Sequence, residues 1–254
     1  MGRPLADMED NGVDSDEEDS LVSSIPPVPE NTPPAPPRGT EFDFVRPFAF
    51  VFDDRDWLTK ILLGGLFYLA SFLIVGIPFV AGYAARTAKN VIDGKELPLP
   101  DWSDLGGIFG EGIKIAVVGI IYLIPQFVIT IAWVFGQALT ERMFYSHGPQ
   151  TALGCVFVLF IPFFFVLYLL MPAAIIRVIG TGRFEAGFEL PSIIRMITHN
   201  GLNYILAILV YLVVGFVAQF GVILLCVGVF FTAFWAMLVK AHAFGQFYRL
   251  AETK

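Results

Sequence analysis

The chain has 254 residues, of which 56% are hydrophobic, 15% are charged and 26 are phenylalanine. A water-soluble domain carries about a quarter charged residues, so an ordinary soluble globule is excluded. Nine of the 23 acidic residues but two of the 16 basic ones lie in residues 1–40; the other 14 acids and 14 bases balance, so the net charge of −7 belongs to the N-terminal segment.

Residues 1–40 also hold eight prolines, seven of them in Pro26-Pro27-Val28-Pro29 and Pro33-Pro34-Ala35-Pro36-Pro37. Low hydrophobicity, high charge and proline leave too little burial to offset the entropy of ordering. The segment reads as a disordered, acidic, Pro-rich cytoplasmic tail with a polyproline II bias at 26–37. Its readings are a solvating leader, a ligand for a proline-binding partner, or a phosphorylation site at Ser15. The start has no apolar stretch of signal-peptide type, and Ala6 occupies the place where N-myristoylation needs Ser or Thr.

An aromatic segment follows, Phe42-Asp43-Phe44 to Phe48-Ala49-Phe50-Val51-Phe52, of the kind that anchors at headgroup depth. The first apolar run would be too long for one crossing and is interrupted at Gly76-Ile77-Pro78. Proline removes a helix hydrogen bond and disfavours helix before it, so a hairpin is expected, with 57–75 entering and 79–93 returning. The return is short, and Arg86, Lys89 and Asn90 make its inner end polar. Both features fit a re-entrant hairpin as well as two crossings.

Residues 101–111 place Trp102, Leu105, Ile108 and Phe109 at helical spacing, as expected of a helix lying flat in the interface. Crossings are expected at 113–139 and 152–176, joined by a turn at Gly148-Pro149. A second interfacial helix at 189–200 presents Leu190, Ile193, Ile194 and Ile197. The nearly uninterrupted apolar stretch 202–239 would make a helix of about 57 Å, close to two bilayer cores of about 30 Å. It therefore divides into 202–222 and 228–248, breaking near Cys226-Val227-Gly228, with Gln219-Phe220-Gly221 as the second candidate. Cys155 and Cys226 lie in apolar runs as packing residues. The fold class expected is an all-α integral membrane protein with about six membrane segments, interfacial amphipathic helices and a disordered N-terminal tail. The domains are residues 1–40 and 41–254.

Basic residues near membrane ends stay cytoplasmic. With the hairpin, of the basic residues after position 37 only Arg142 falls on the outer side. Both termini are then cytoplasmic and the protein belongs to the plasma membrane. A five-crossing form with the tail outside would misplace Arg46, Arg55 and Lys60. Two stretches share a layout: Glu96-Leu97-Pro98, Gly112 and Tyr122-Leu123 against Glu189-Leu190-Pro191, Gly201 and Tyr211-Leu212. This reads as a parallel duplication.

No metal motif, nucleophile motif or phosphate loop is present. His147, His199 and His242 are scattered, and the Gly106–Gly112 run lacks the Lys-Ser/Thr ending. Catalytic, cofactor-binding and metal residues are therefore none, and no nucleic-acid partner is expected. The one constellation is basic and cytoplasmic. Arg86, Lys89, Arg177, Lys240, His242 and Arg249 are candidate contacts for anionic lipid or solute, with Asn90 and Gln246 beside them.

The segment Gly82-Tyr83, Arg86, Lys89-Asn90-Val91-Ile92-Asp93-Gly94, Leu97-Pro98 and Asp101-Trp102 resembles an uncharacterised prokaryotic membrane family, domain of unknown function 4013. The ending Gly228-Val229-Phe230-Phe231-Thr232, Phe234-Trp235, Ala241-His242 and Phe244 to Arg249 resembles the same family. The resemblance covers about 44–250. It implies a bacterial or archaeal source and a multi-pass architecture, and carries over no reaction. The expected function is a non-enzymatic membrane-organising or partner-binding protein, its partners being membrane lipid and a protein held through the tail. A transporter or channel-like protein for a small or anionic substrate is the alternative. A lipid-modifying enzyme would need a convergent acid, base or metal set that the residues do not offer.

Overall fold

The computed structural model describes residues 41–143, 158, 160–223 and 228–252. The tail, the Gly148-Pro149 turn, Cys155 and Cys226 lie outside the described residues. Within them the structure is wholly helical. The helices are α1 (Arg46–Ala49), α2 (Trp57–Ala70), α3 (Gly76–Ile92), α4 (Leu105–Met143), α5 (Ile161–Thr181), α6 (Leu190–His199), α7 (Gly201–Gln219) and α8 (Gly228–Glu252). Short 3₁₀ turns extend α1, α2 and α7 at Phe50–Asp53, Ser71–Leu73 and Phe220–Ile223, and another lies between α5 and α6 at Phe184–Phe188.

The first apolar run is a helical hairpin. Its turn comes earlier than Pro78 implied, at Ile74, which adopts a left-handed φ of 68°. Pro78 instead falls in the first turn of α3, where the missing N–H costs no helix bond. Phe67 on α2 stacks on Phe79 of α3 at 4.6 Å. Ser71 Oγ donates to the carbonyl of Phe67 at 3.1 Å, so the hydroxyl is satisfied within the hairpin.

The flat helix expected at 101–111 is not a separate element: residues 105–111 are the opening turns of the long helix α4. Asp104 caps it, its carboxylate accepting the N–H of Gly107 at 2.9 Å, as an N-cap aspartate does. Trp102 is half-buried against the hairpin. It stacks on Tyr83 at 4.3 Å and Phe67 at 4.9 Å, and its indole N–H donates to the carbonyl of Lys60 at 3.3 Å. α4 crosses α3 where Gly82 and Gly112 meet, backbone to backbone. α6 forms where the second interfacial helix was expected, but Ile193 and Met196 are buried in the core while Leu190 and Ile194 are exposed.

α5 runs to Thr181 and stops at Gly182, whose φ of 71° suits only glycine without strain. α7 ends at Gln219, the second break candidate, and α8 begins at Gly228, the first. The C-terminal half of α8 is the centre of the bundle: Phe244, Phe247, Tyr248 and Leu250 are buried. Around it pack α2, α3, α5 and α7.

Four helices are long and apolar enough to cross a membrane: Leu105–Leu139, Ile161–Thr181, Gly201–Gln219 and Gly228–Glu252. α2 and α3 are shorter; the bent pair Arg46–Asp53 and Trp57–Leu73, turned by 109°, would be a fifth span only if taken together. The surfaces of these helices confirm the solvent. Phe127, Val128 and Phe135 on α4, and Leu202, Ile205 and Phe216 on α7, are all more than half exposed. Apolar patches of this extent are not left facing water.

Candidate functional site

Charged side chains of the described residues gather at one end of the bundle. The start of α2, the end of α3 and the start of α4 meet there through ion pairs. Lys60 Nζ lies 2.8 Å from Asp54 Oδ2 and 3.0 Å from Asp101 Oδ1, with the Lys60 and Asp54 side chains almost fully buried. Arg86 bridges Asp104 at 2.7 Å and Glu111 at 3.1 Å. Arg177 pairs with Glu189 at 2.7 Å, and Arg183 holds both Glu185 and Glu189. Arg86 beside Asp104 holds that carboxyl below the usual carboxylate range. Arg177 does the same for Glu189, and Glu185 raises the Arg183 guanidinium.

The six cations singled out from the sequence do not form one basic vestibule. Arg86 and Lys89 come together on an open cleft of about 510 Å³, but Asp93, Asp101 and Glu111 line it too. Lys89 is also ion-paired to Asp93 at 3.0 Å. Arg177 stands apart on α5 with Glu189. Arg249 lies beside Gly94, after α3. His242 is buried and structural: Gln246 Nε2 donates to its Nδ1 at 3.2 Å, and Phe50 packs on its ring at 4.4 Å. Gln246 Oε1 in turn accepts the N–H of Asp43 at 3.1 Å. The stripe His242–Gln246 therefore ties the segment before α2 to α8.

Lys240 is the exception. It is the thirteenth of the 25 residues of α8, about 18 Å from either end. Reading the helix to residue 248 had placed it nearer the inner end. Its ammonium lies 4.2 Å from the centroid of the Tyr211 ring, and no ion pair or hydrogen bond to it occurs among the described residues. It lines an apolar chamber of about 170 Å³ between α3, α4, α5, α7 and α8. Ala85, Ile115 and Ile179 are shared with a rim pocket of about 200 Å³ that carries Lys89, Glu111 and Lys114. Ala81 and Met237 are shared with a groove of about 390 Å³ under the hairpin tip. Three hollows thus adjoin, from the charged rim to the tip.

Sequence reasoning missed the Lys60–Asp54 pair. A signal existed, since an acidic residue six positions before a lysine at a helix start is placed to reach it. The carboxylate partners of Arg86 and Arg177 were also missed, although Asp104 and Glu189 stand near the starts of the helices that follow.

Apolar helices with lipid-type surfaces and a charged collar at one end define an all-helical membrane protein. The family model described as "Protein of unknown function (DUF4013)" matches residues 65–227, more than half of the chain, and the chain belongs to that family. The match is shorter than the 44–250 expected, so the motif at 228–249 lies beyond it. No curated protein and no solved structure matches the chain.

Proposed function

We propose that the protein is a non-enzymatic, multi-pass organiser of the plasma membrane, with both termini cytoplasmic and its bulk weighted to the cytoplasmic leaflet. In this reading α4, α5, α7 and α8 cross the bilayer, and α2–α3 is a re-entrant hairpin, so the six expected segments become four crossings and one hairpin. One observation carries the reading. The hairpin tip is apolar and bare: Phe72, Leu73, Ile74 and Val75 are 77, 76, 74 and 63% exposed. Helices of 14 and 17 residues reach about 21 and 26 Å in full, but the part of α3 between the tip and the ion-paired Arg86 reaches about 15 Å, half of a hydrocarbon core of about 30 Å. A tip without a polar residue to meet water rests in hydrocarbon.

The hairpin, α1 and α6 all belong to the charged end, so they add protein volume to one leaflet only. A wedge of this shape favours membrane that is convex towards the cytoplasm. The ion pairs among Lys60, Arg86, Asp101 and Asp104 keep the hairpin fixed against α4, so the wedge is rigid. Transport of a small or anionic substrate draws less support, because Arg86, Lys89 and Arg177 are each matched by a carboxylate.

The test is partition between vesicles of graded diameter carrying the protein with the tail outward. Density should rise as diameter falls; a density independent of diameter would remove the proposal. A companion pull-down with and without residues 1–40 tests the tail as a tether, and identical partner sets would remove that part alone.

A further inference from the structure

We infer that the chamber around Lys240 is a binding site for a single-chain amphiphile with a carboxylate end, of the long-chain fatty-acid class. The inference rests on α8 crossing the bilayer and is otherwise independent of membrane shaping.

Depth is the first argument. Lys240 stands midway along α8, and Tyr211, which it faces, is ten residues into α7. Both counts place the ammonium about 12–18 Å from the helix ends. The chamber shares Ala85, Ile115 and Ile179 with the rim pocket of Lys89, Glu111 and Lys114, so the ammonium stands one hollow in from the charged rim. A cation at this depth is costly unless it is compensated, and such residues mark ligand or ion sites.

The second argument is compensation. Among the described residues the ammonium has only the face of Tyr211 as partner. A ring face satisfies part of the charge and none of the need for acceptors, since an ammonium has three donors. The missing partner is an anionic acceptor.

The third argument is shape. The chamber walls are otherwise apolar, from Ala84, Met171, Pro172 and Met237 among others. About 170 Å³ admits one small anionic group and a few methylenes, not a glycerophosphate with two chains. The adjoining groove under the hairpin tip, bordered by Tyr68, Phe72 and Phe230, is open to lipid and continues past Ala81 and Met237. A chain lying there would place its carboxylate at Lys240. Inside the chamber the acid and the amine share one proton, so the pair enters low-dielectric surroundings without net charge.

The probe is radiolabelled palmitate bound to the full-length protein in phosphatidylcholine nanodiscs. Saturable binding is expected. Lys240→Met should weaken it about 10- to 100-fold, the worth of a hydrogen bond to a charged group, while Lys240→Arg retains most of it. Lys240→Met removes an unpaired charge and should fold. Ala84→Leu, which fills the chamber without touching the charge, is the second variant and should also abolish binding. Lys114→Met at the rim should leave binding unchanged. Palmitate should raise the melting temperature of the wild type and not of Lys240→Met. The inference is overturned if palmityl alcohol binds as tightly as palmitate, or if Lys240→Met and Ala84→Leu both bind normally. It is equally overturned if Lys114→Met alone abolishes binding, or if lysophosphatidate outcompetes palmitate.

Discussion

Substituting alanine at Gly82 or Gly112 should loosen the crossing of α3 over α4, and the cost follows from what each new methyl would meet. A Cβ on Gly82 would overlap the carbonyl of Ile108; a Cβ on Gly112 would overlap the carbonyl of Pro78. Both obstacles are backbone, so no rotamer change relieves them and the helices must separate. Overpacking costs about 1–3 kcal/mol, and the rigid obstacle puts these sites near about 3. Replacing glycine by alanine inside a helix returns about 1 kcal/mol, leaving a net loss of about 2 kcal/mol at each site. Once one methyl has opened the crossing the second meets less resistance, so the double variant should lose less than the two single losses together. Gly110 and Gly119 lie on the same helix with nothing near them, so their alanine variants should be neutral or up to about 1 kcal/mol more stable. Reversible unfolding in mixed micelles measures all of these. Equal stability of Gly112→Ala and Gly119→Ala would refute the reasoning.

Lys60→Met should destabilise by about 3–5 kcal/mol, because it strands a buried carboxylate at Asp54. Adding Asp54→Asn should recover most of the loss; a double variant as unstable as the single would show that the pair is not the cause. Asp101 is largely exposed, so Asp101→Asn should cost no more than about 1 kcal/mol in the same unfolding assay. Asp104 and Glu189 have lowered folded-state pKa values, so they contribute stability in full above the ordinary carboxylate value of about 4. That contribution is lost as pH falls through the depressed folded values. A pH series of melting temperatures should therefore stay level down to about 4–5 and then fall, less steeply in Arg86→Gln; a rise on acidification would contradict it. Ile74→Gly relieves a left-handed conformation that costs a side chain about 1–2 kcal/mol, and a melting temperature that does not rise would show that the turn is not strained.

The helical, lipid-exposed character of α4, α5, α7 and α8 was legible because apolar runs have few alternatives. The hairpin was legible too, from Gly76-Ile77-Pro78 together with the clustering of basic residues. Its turn was misplaced because proline marks either a break or a first turn, and only tertiary packing around Ile74 decides between them. α4 was read as two elements because Gly106, Gly107, Gly110 and Gly112 lower helix propensity, and Asp104 looks like a surface acid until its capping bond to Gly107 is seen. Trp102 was assigned to the interface by its type; its partial burial depends on Tyr83 and Phe67, which lie far away in sequence. The charged collar was half legible. Cations were found by their positions near helix ends, but the acidic partners of Arg86 and Arg177 lie 12 to 25 residues away in sequence, and no local pattern reveals them. Lys240 was seen as one basic residue among six. Its isolation at mid-depth became visible only with the full length of α8.

The central claim is that α2–α3 dips into one leaflet from the cytoplasmic side and stops there. With Cys155 and Cys226 replaced, Ile74→Cys and Lys95→Cys can be probed in cells with a membrane-impermeant maleimide. Lys95→Cys should react only after the cells are permeabilised. Ile74→Cys should react from neither side, yet be quenched by a probe held within the acyl chains. Labelling of Ile74→Cys from outside intact cells would show the hairpin to be two full crossings, and the one-leaflet account would fall with it.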